Sequence, residues 1–175
     1  TYEGAVAEMN IRALTAAAVA GVLRPVLSGI NMVSAPTVAR ERGILVEEVT
    51  RAGAAPDFGS VIRISVEADD MPRDAAGTVF HDGKPRMIEI RSIPIDAAFA
   101  EHMLYVRNHD QPGFIGRVGS VLGEAGVNVA TFALGRDAKG GNAICFCAVD
   151  APVPEDVLTS IAAIPQVKRV RSLRF

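Results

Sequence analysis

Tryptophan is absent and aromatic residues make up only 5% of the chain, which excludes a base-stacking platform for single-stranded nucleic acid. An excess of one charge is missing too. The net charge is −2 with a pI near 5.9, which argues against general binding to nucleic acid or to a membrane surface. The longest apolar run, Ala13 to Leu23, is interrupted by Thr15 and is too short to span a bilayer, and no secretory signal is visible. Cysteine is confined to Cys145 and Cys147, whose spacing puts both side chains on one face of a strand. They read as small core residues in a reducing, cytoplasmic compartment. His81, His102 and His109 form no metal-ligand pattern. No G-x-G-x-x-G follows a strand, because Gly113, Gly116 and Gly119 are spaced by three inside a helical stretch. No acid stands about twenty residues beyond such a turn to hold a ribose, and no base is positioned beside a nucleophile. Neither turnover, a cofactor nor a metal is expected of these residues.

What is present is globular: 49% apolar and 22% charged residues over 175 positions, enough for one medium domain or two small ones. The most informative stretch is Tyr105 to Arg136. Tyr105 to Asn108 is extended, and Asp110-Gln111-Pro112-Gly113 is a turn whose proline suits the first helical position. Asp110 or Gln111 is then expected at the helix cap. Ile115, Val118, Val121 and Leu122 recur at helical spacing. Gly116, Gly119 and Gly123 fall on one side, where another backbone could come close. Gly126 reads as a left-handed C-cap, and Val127-Asn128-Val129 opens the next strand.

Around this stretch the pattern predicts β (102–108), α (113–125), β (127–135), β (142–149), α (154–163) and β (167–174). Lys139-Gly140-Gly141 forms the central hairpin. That order is the ferredoxin-like plan, four antiparallel strands with two helices on one face; the other face is expected to be open for pairing. Upstream, Tyr2–Glu8 and Ile44–Thr50 read as strands, and Arg12–Leu27 and Asn31–Arg42 as helices. Arg51–Gly59 reads as loop, Ser60–Ala68 and Ala76–Phe80 as strands, and Asp82-Gly83 as a hairpin turn. Arg86–Ile93 alternates as a strand, Pro94-Ile95-Asp96 closes it, and Ala97–Glu101 is a linker. The domain boundary falls near Ala100, giving domains 1–100 and 101–175. The fold class is α+β, a mixed first domain followed by βαββαβ. The chain begins at Thr1 without methionine, directly in a strand-like run, and reads as a piece of a larger protein.

The run Asn108-His109-Asp110-Gln111-Pro112-Gly113, with Gly126-Val127-Asn128-Val129, whose asparagine lies sixteen residues on from the turn proline, closely resembles an ACT domain, a module that binds amino acids. The resemblance implies a ligand held between two copies, the turn coming from one subunit and the residue at Asn128 from the other. Asp110 would hold an ammonium group; helix amides and an asparagine amide would hold the carboxylate. Asn108, Asp110 and Asn128 are the effector residues on this reading. Each also has a plainer reading, as a cap or as a tolerant turn residue.

Tyr2-Glu3-Gly4, Val33-Ser34-Ala35-Pro36, Val46–Arg51, Ala76–Phe80 and Gly83–Ile90 resemble the intervening, allosteric substrate-binding domain of long-form D-3-phosphoglycerate dehydrogenases. In that family basic residues hold anions such as the phosphorylated substrate, which points to Lys84, Arg86 and Arg91, with Arg107 joining them if the strands lie adjacent. On pattern alone they are a solvated strand face paired with Glu89. The resemblance covers essentially the whole chain. It implies the regulatory portion of an NAD-dependent dehydrogenase of serine synthesis, with L-serine as effector, a homodimer, and the NAD site and catalytic domains upstream. Two alternatives stay open: the β-subunit of an iron–sulfur L-serine dehydratase, and a ligand-free oligomerisation module.

Overall fold

The computed structural model describes residues 1–53, 57–67 and 73–175. They form two compact units, Thr1–Ile64 and Ser65–Phe175.

In the first unit β1 (Tyr2–Gly4) pairs in parallel with β2 (Thr50–Arg51) and antiparallel with β3 (Ser60–Val66). A 3-10 turn over Ala5–Glu8 replaces the second half of the strand expected at Tyr2–Glu8. α1 (Arg12–Leu23) stops short of the expected Leu27, because Pro25 cannot continue the hydrogen-bond ladder and disfavours helix at the residue before it. α2 (Ala35–Glu41) starts later than Asn31, whose side-chain oxygen instead accepts from the amides of Val33 and Ser34 in a local turn. The two helices meet through the fully buried Ala20, Ala35 and Ala39 together with Leu23. The strand expected over Ile44–Thr50 shrinks to β2: its β-branched residues find a ladder partner only at the end, and Leu45 is 81% exposed. Ala68 and residues 54–56 of the expected Arg51–Gly59 loop lie outside the described residues.

The second unit carries β4 (Arg73–Val79), β5 (Pro85–Ile90) and β6 (Ile93–Ala98) as an antiparallel meander. A four-stranded sheet follows, from β7 (His102–His109), β8 (Val129–Arg136), β9 (Asn142–Val149) and β10 (Val167–Arg174), in the order β10-β7-β9-β8. α3 (Phe114–Glu124) and α4 (Glu155–Ala162) cover one face. This is the expected βαββαβ plan, with bounds within two residues of expectation throughout. The helix-side core is Leu104 and Val106 of β7 against Phe114, Val118 and Leu122 of α3 and Ile161 of α4, each such burial contributing about 1.5–3 kcal/mol. Ile115, expected in that face, is 53% exposed; Phe114 takes its place. Cys145 and Cys147 also face the helices, buried and hydrogen-bonded to each other, which pushes the Cys145 thiol up and keeps it protonated.

The other sheet face is not open. β6, read from sequence as a strand end and a linker, lays Ile93, Ile95 and Ala97 against Met103, Ile144 and Phe146. At Gly135 of β8 the Pro94 carbonyl comes so close that any Cβ would collide with it. β6 was hidden by its own turn. Arg91 and Ser92, both with positive φ (52° and 59°), form a two-residue hairpin between β5 and β6, where glycine or asparagine would be the usual signal. A register shift at Ile88, between Met87 and Glu89, further breaks the alternation expected over Arg86–Ile93. Because β6 lies on this sheet, the expected boundary near Ala100 falls inside the second compact unit.

Candidate functional site

β7 delivers its last residues alternately to the two sheet faces. Asn108 is 1% exposed on the helix side. Its Nδ2 donates to the His109 carbonyl at 2.8 Å, while its Oδ1 is buried without a hydrogen-bond partner. A buried amide oxygen left unpaired costs free energy, and it is an acceptor that a further donor would satisfy.

Asp110 was expected at or beside the cap of α3, and so was Gln111. Neither caps it. Gly113 adopts the left-handed conformation (φ 85°) and is itself the N-cap, with no side-chain hydrogen bond to the first turn. The helix therefore begins two residues after Pro112, and the amides of Ile115 and Gly116 keep their donors, since Arg117 is the first to reach back to Gly113. Asp110 turns instead to the central hairpin: its Oδ2 accepts from Arg136 Nη1 at 2.8 Å and from the Gly140 amide at 3.1 Å. The Gly140 bond and then Arg136 hold this carboxyl below the usual carboxylate range. Both contacts use Oδ2, so Oδ1 retains lone pairs. A cavity of about 500 Å³ is lined here by Asn108, Asp110, Gly113, Ile115, Gly116 and Leu134, among others.

Asn128 lies at the opposite end of α3, just after Gly126, which takes the expected left-handed turn (φ 70°). Its Nδ2 donates to Asp150 at 2.7 Å. The eleven residues of α3 separate the two ends by about 16 Å, so Asn128 does not join Asn108 and Asp110 around one small molecule within a chain. Gly116, Gly119 and Gly123 would each accept a Cβ into open space, so no backbone from another element among the described residues approaches them.

The three expected anion residues are dispersed. Lys84 is exposed in the β4–β5 turn. Arg86 reaches Asp96 at 3.3 Å and lies 5.2 Å over the Phe80 ring. Arg91 sits at the far end of β5, about 15 Å further along the strand. There it shares a smaller cavity, about 280 Å³, with Arg107.

Sequence reasoning looked to helix amides after Pro112, and the structure identifies those without an intrahelical acceptor as Ile115 and Gly116; it missed Arg136 and the Gly140 amide. The lys-gly-gly hairpin was visible, but that it folds back onto Asp110 depends on the β8–β9 register.

The family model described as D-3-phosphoglycerate dehydrogenase intervening domain matches residues 1–91, and the ACT domain model matches residues 102–166. Among curated proteins, a D-3-phosphoglycerate dehydrogenase of Bacillus subtilis is 32% identical over 171 residues, covering 97% of this chain and 32% of the relative. That of Methanocaldococcus jannaschii is 32% identical over 170 residues, with the same coverage. That of Mycobacterium tuberculosis is 31% identical over 163 residues, 91% of this chain and 31% of the relative. The chain thus spans about a third of the length of these relatives. No helix among the described residues is long and apolar enough to cross a membrane.

Proposed function

The chain belongs to the D-3-phosphoglycerate dehydrogenase intervening-domain family and carries an ACT domain behind it, and from that premise we propose that it is the effector-sensing part of such an enzyme, taking up L-serine at the N-terminal end of α3. The observation that carries the reading is the unpaired, buried Asn108 Oδ1 beside two uncapped helix amides. An α-amino acid matches that set. Its ammonium group donates to Asn108 Oδ1 and Asp110 Oδ1, and its carboxylate accepts from the amides of Ile115 and Gly116 at the positive end of the helix.

Asn128 belongs to the other half of the site, contributed by a second copy. The half-exposed Ile115 and Leu134 at the rim are apolar surface that such a copy would cover. The proposed assembly is a homodimer through the ACT domains (101–175), with the intervening domain (1–100) attached. Lys84 and Arg86 are proposed to hold an anion, phosphate or the phosphorylated substrate, on the intervening domain. The parent reaction, oxidation of 3-phosphoglycerate with NAD, is proposed for the whole dehydrogenase, with serine binding coupled to it by about 1–3 kcal/mol.

Calorimetric titration with L-serine tests this. Binding is expected, weakened about ten-fold or more by Asn108→Ala and likewise by Asn128→Ala, with sedimentation reporting a tighter dimer in serine. No heat and no shift in melting temperature at millimolar serine would sink the sensor reading and leave the oligomerisation module.

A further inference from the structure

Asn128 immediately precedes β8, and two hydrogen bonds tie it to the residue that follows β9. Its carbonyl accepts from the Asp150 amide at 3.2 Å, and its Nδ2 donates to Asp150 Oδ2 at 2.7 Å. Together they carry the β8–β9 ladder one step past the Val129–Val149 pair. The second bond also settles which way the side-chain amide faces. An ionised carboxylate only accepts, so it takes the NH2 of an asparagine and repels its oxygen. Nδ2 is therefore turned to Asp150, and Oδ1 faces away from it. Among the described residues no other group bonds the Asn128 side chain.

The charge around this amide has one sign. Glu124 is the last residue of α3, and the last turn of that helix holds no basic residue. A helix C-terminus itself carries a partial negative charge, and Asp150 adds a full one. An acceptor oxygen in that field suits an N–H of a cation and disfavours a carboxylate. The other end of α3, with the free amides of Ile115 and Gly116, has the opposite polarity. A zwitterion lying between the N-terminal end of one copy's α3 and the C-terminal end of the other's meets each of its charges with the opposite one. The donor count agrees: an ammonium group has three N–H bonds, and Asn108 Oδ1 and Asp110 Oδ1 take only two of them.

We propose, resting on the amino-acid site described above, that Asp150 is a positioning residue of that site. By holding Asn128 Nδ2 it aims Asn128 Oδ1 at the second copy, as the third acceptor for the ammonium group of the effector. Asn128 then serves the ammonium group, whereas the family pattern leads one to expect an asparagine amide on the carboxylate. Asp150 itself does not touch the ligand.

The test is calorimetric titration of the whole chain and its variants with L-serine. Both residues are exposed, so the variants should fold. Asp150→Ala frees the amide to turn and is expected to weaken binding about five-fold. Asp150→Asn still offers an oxygen to Asn128 Nδ2 and should bind within about two-fold of the parent. The exchanged pair, Asn128→Asp with Asp150→Asn, keeps an acceptor facing the ligand and should also stay within about two-fold. A merely structural tie would not make binding follow the acceptor in this way. Unchanged binding by Asp150→Ala overturns the proposal. So does loss of binding by the exchanged pair, because that result makes Asn128 a donor to the carboxylate. Heteronuclear NMR of the Asn128 side-chain amide without ligand separates this failure from that of the serine site. Its proton shifts should differ between the parent and Asp150→Ala, and identical shifts overturn the positioning role whether or not serine binds. If the parent binds no serine, the ammonium contact falls with the amino-acid site, while the amide shifts still decide whether Asp150 sets the orientation.

Discussion

Asp110 and Asp137 show how single side chains organise the mouth of the sheet. The carboxyl of Asp137 is held below its ordinary range chiefly by Asn142, and that of Asp110 by the Gly140 amide and Arg136. A depressed folded-state pKa contributes stability that is present above the unfolded value, about 3.9, and is lost as pH falls through the lower folded value. Asp137→Asn should therefore be less stable than the parent at neutral pH, with the gap closing below about pH 4. Urea melts at several pH values measure it, and a gap that stays constant with pH would refute the account. Of the site residues, Asn108, Asp110 and Asn128 were readable only through a family pattern. Their physical roles were not, because hydrogen-bond partners such as Arg136 and Asp150 are 26 and 22 residues away in sequence.

Among the elements, those with local rules were legible. The second half followed from strand alternation, helical spacing and punctuation by Pro112, Gly126, Gly140 and Pro154. β6 and the 44–49 segment did not follow, for opposite reasons. The first is a true strand whose turn uses Arg91 and Ser92 rather than glycine. The second has strand-like composition but no partner strand along most of its length. Left-handed conformation costs a non-glycine residue about 1–2 kcal/mol, so Ser92→Gly should stabilise the protein by about 1 kcal/mol. The Ser92 amide keeps its bond to Asp74 in that variant. A denaturant midpoint that falls would show that the serine side chain contributes something the backbone account omits.

At the scale of the whole molecule, domain identity and compactness divide the chain differently. The ACT match begins at residue 102, yet the apolar face of its sheet is covered by β6, which precedes it. A fragment of residues 101–175 should therefore expose Met103, Ile144 and Phe146. It should bind a hydrophobic dye and self-associate, while a fragment of residues 73–175 should do neither; equal dye binding by the two would contradict the β6 packing. The alternation of β7 has a consequence for regulation as well. Arg107 and Asn108 are neighbours on one backbone but serve opposite faces, so whatever presses on the face that β6 covers shifts the same peptide unit that carries the buried Asn108 amide on the other.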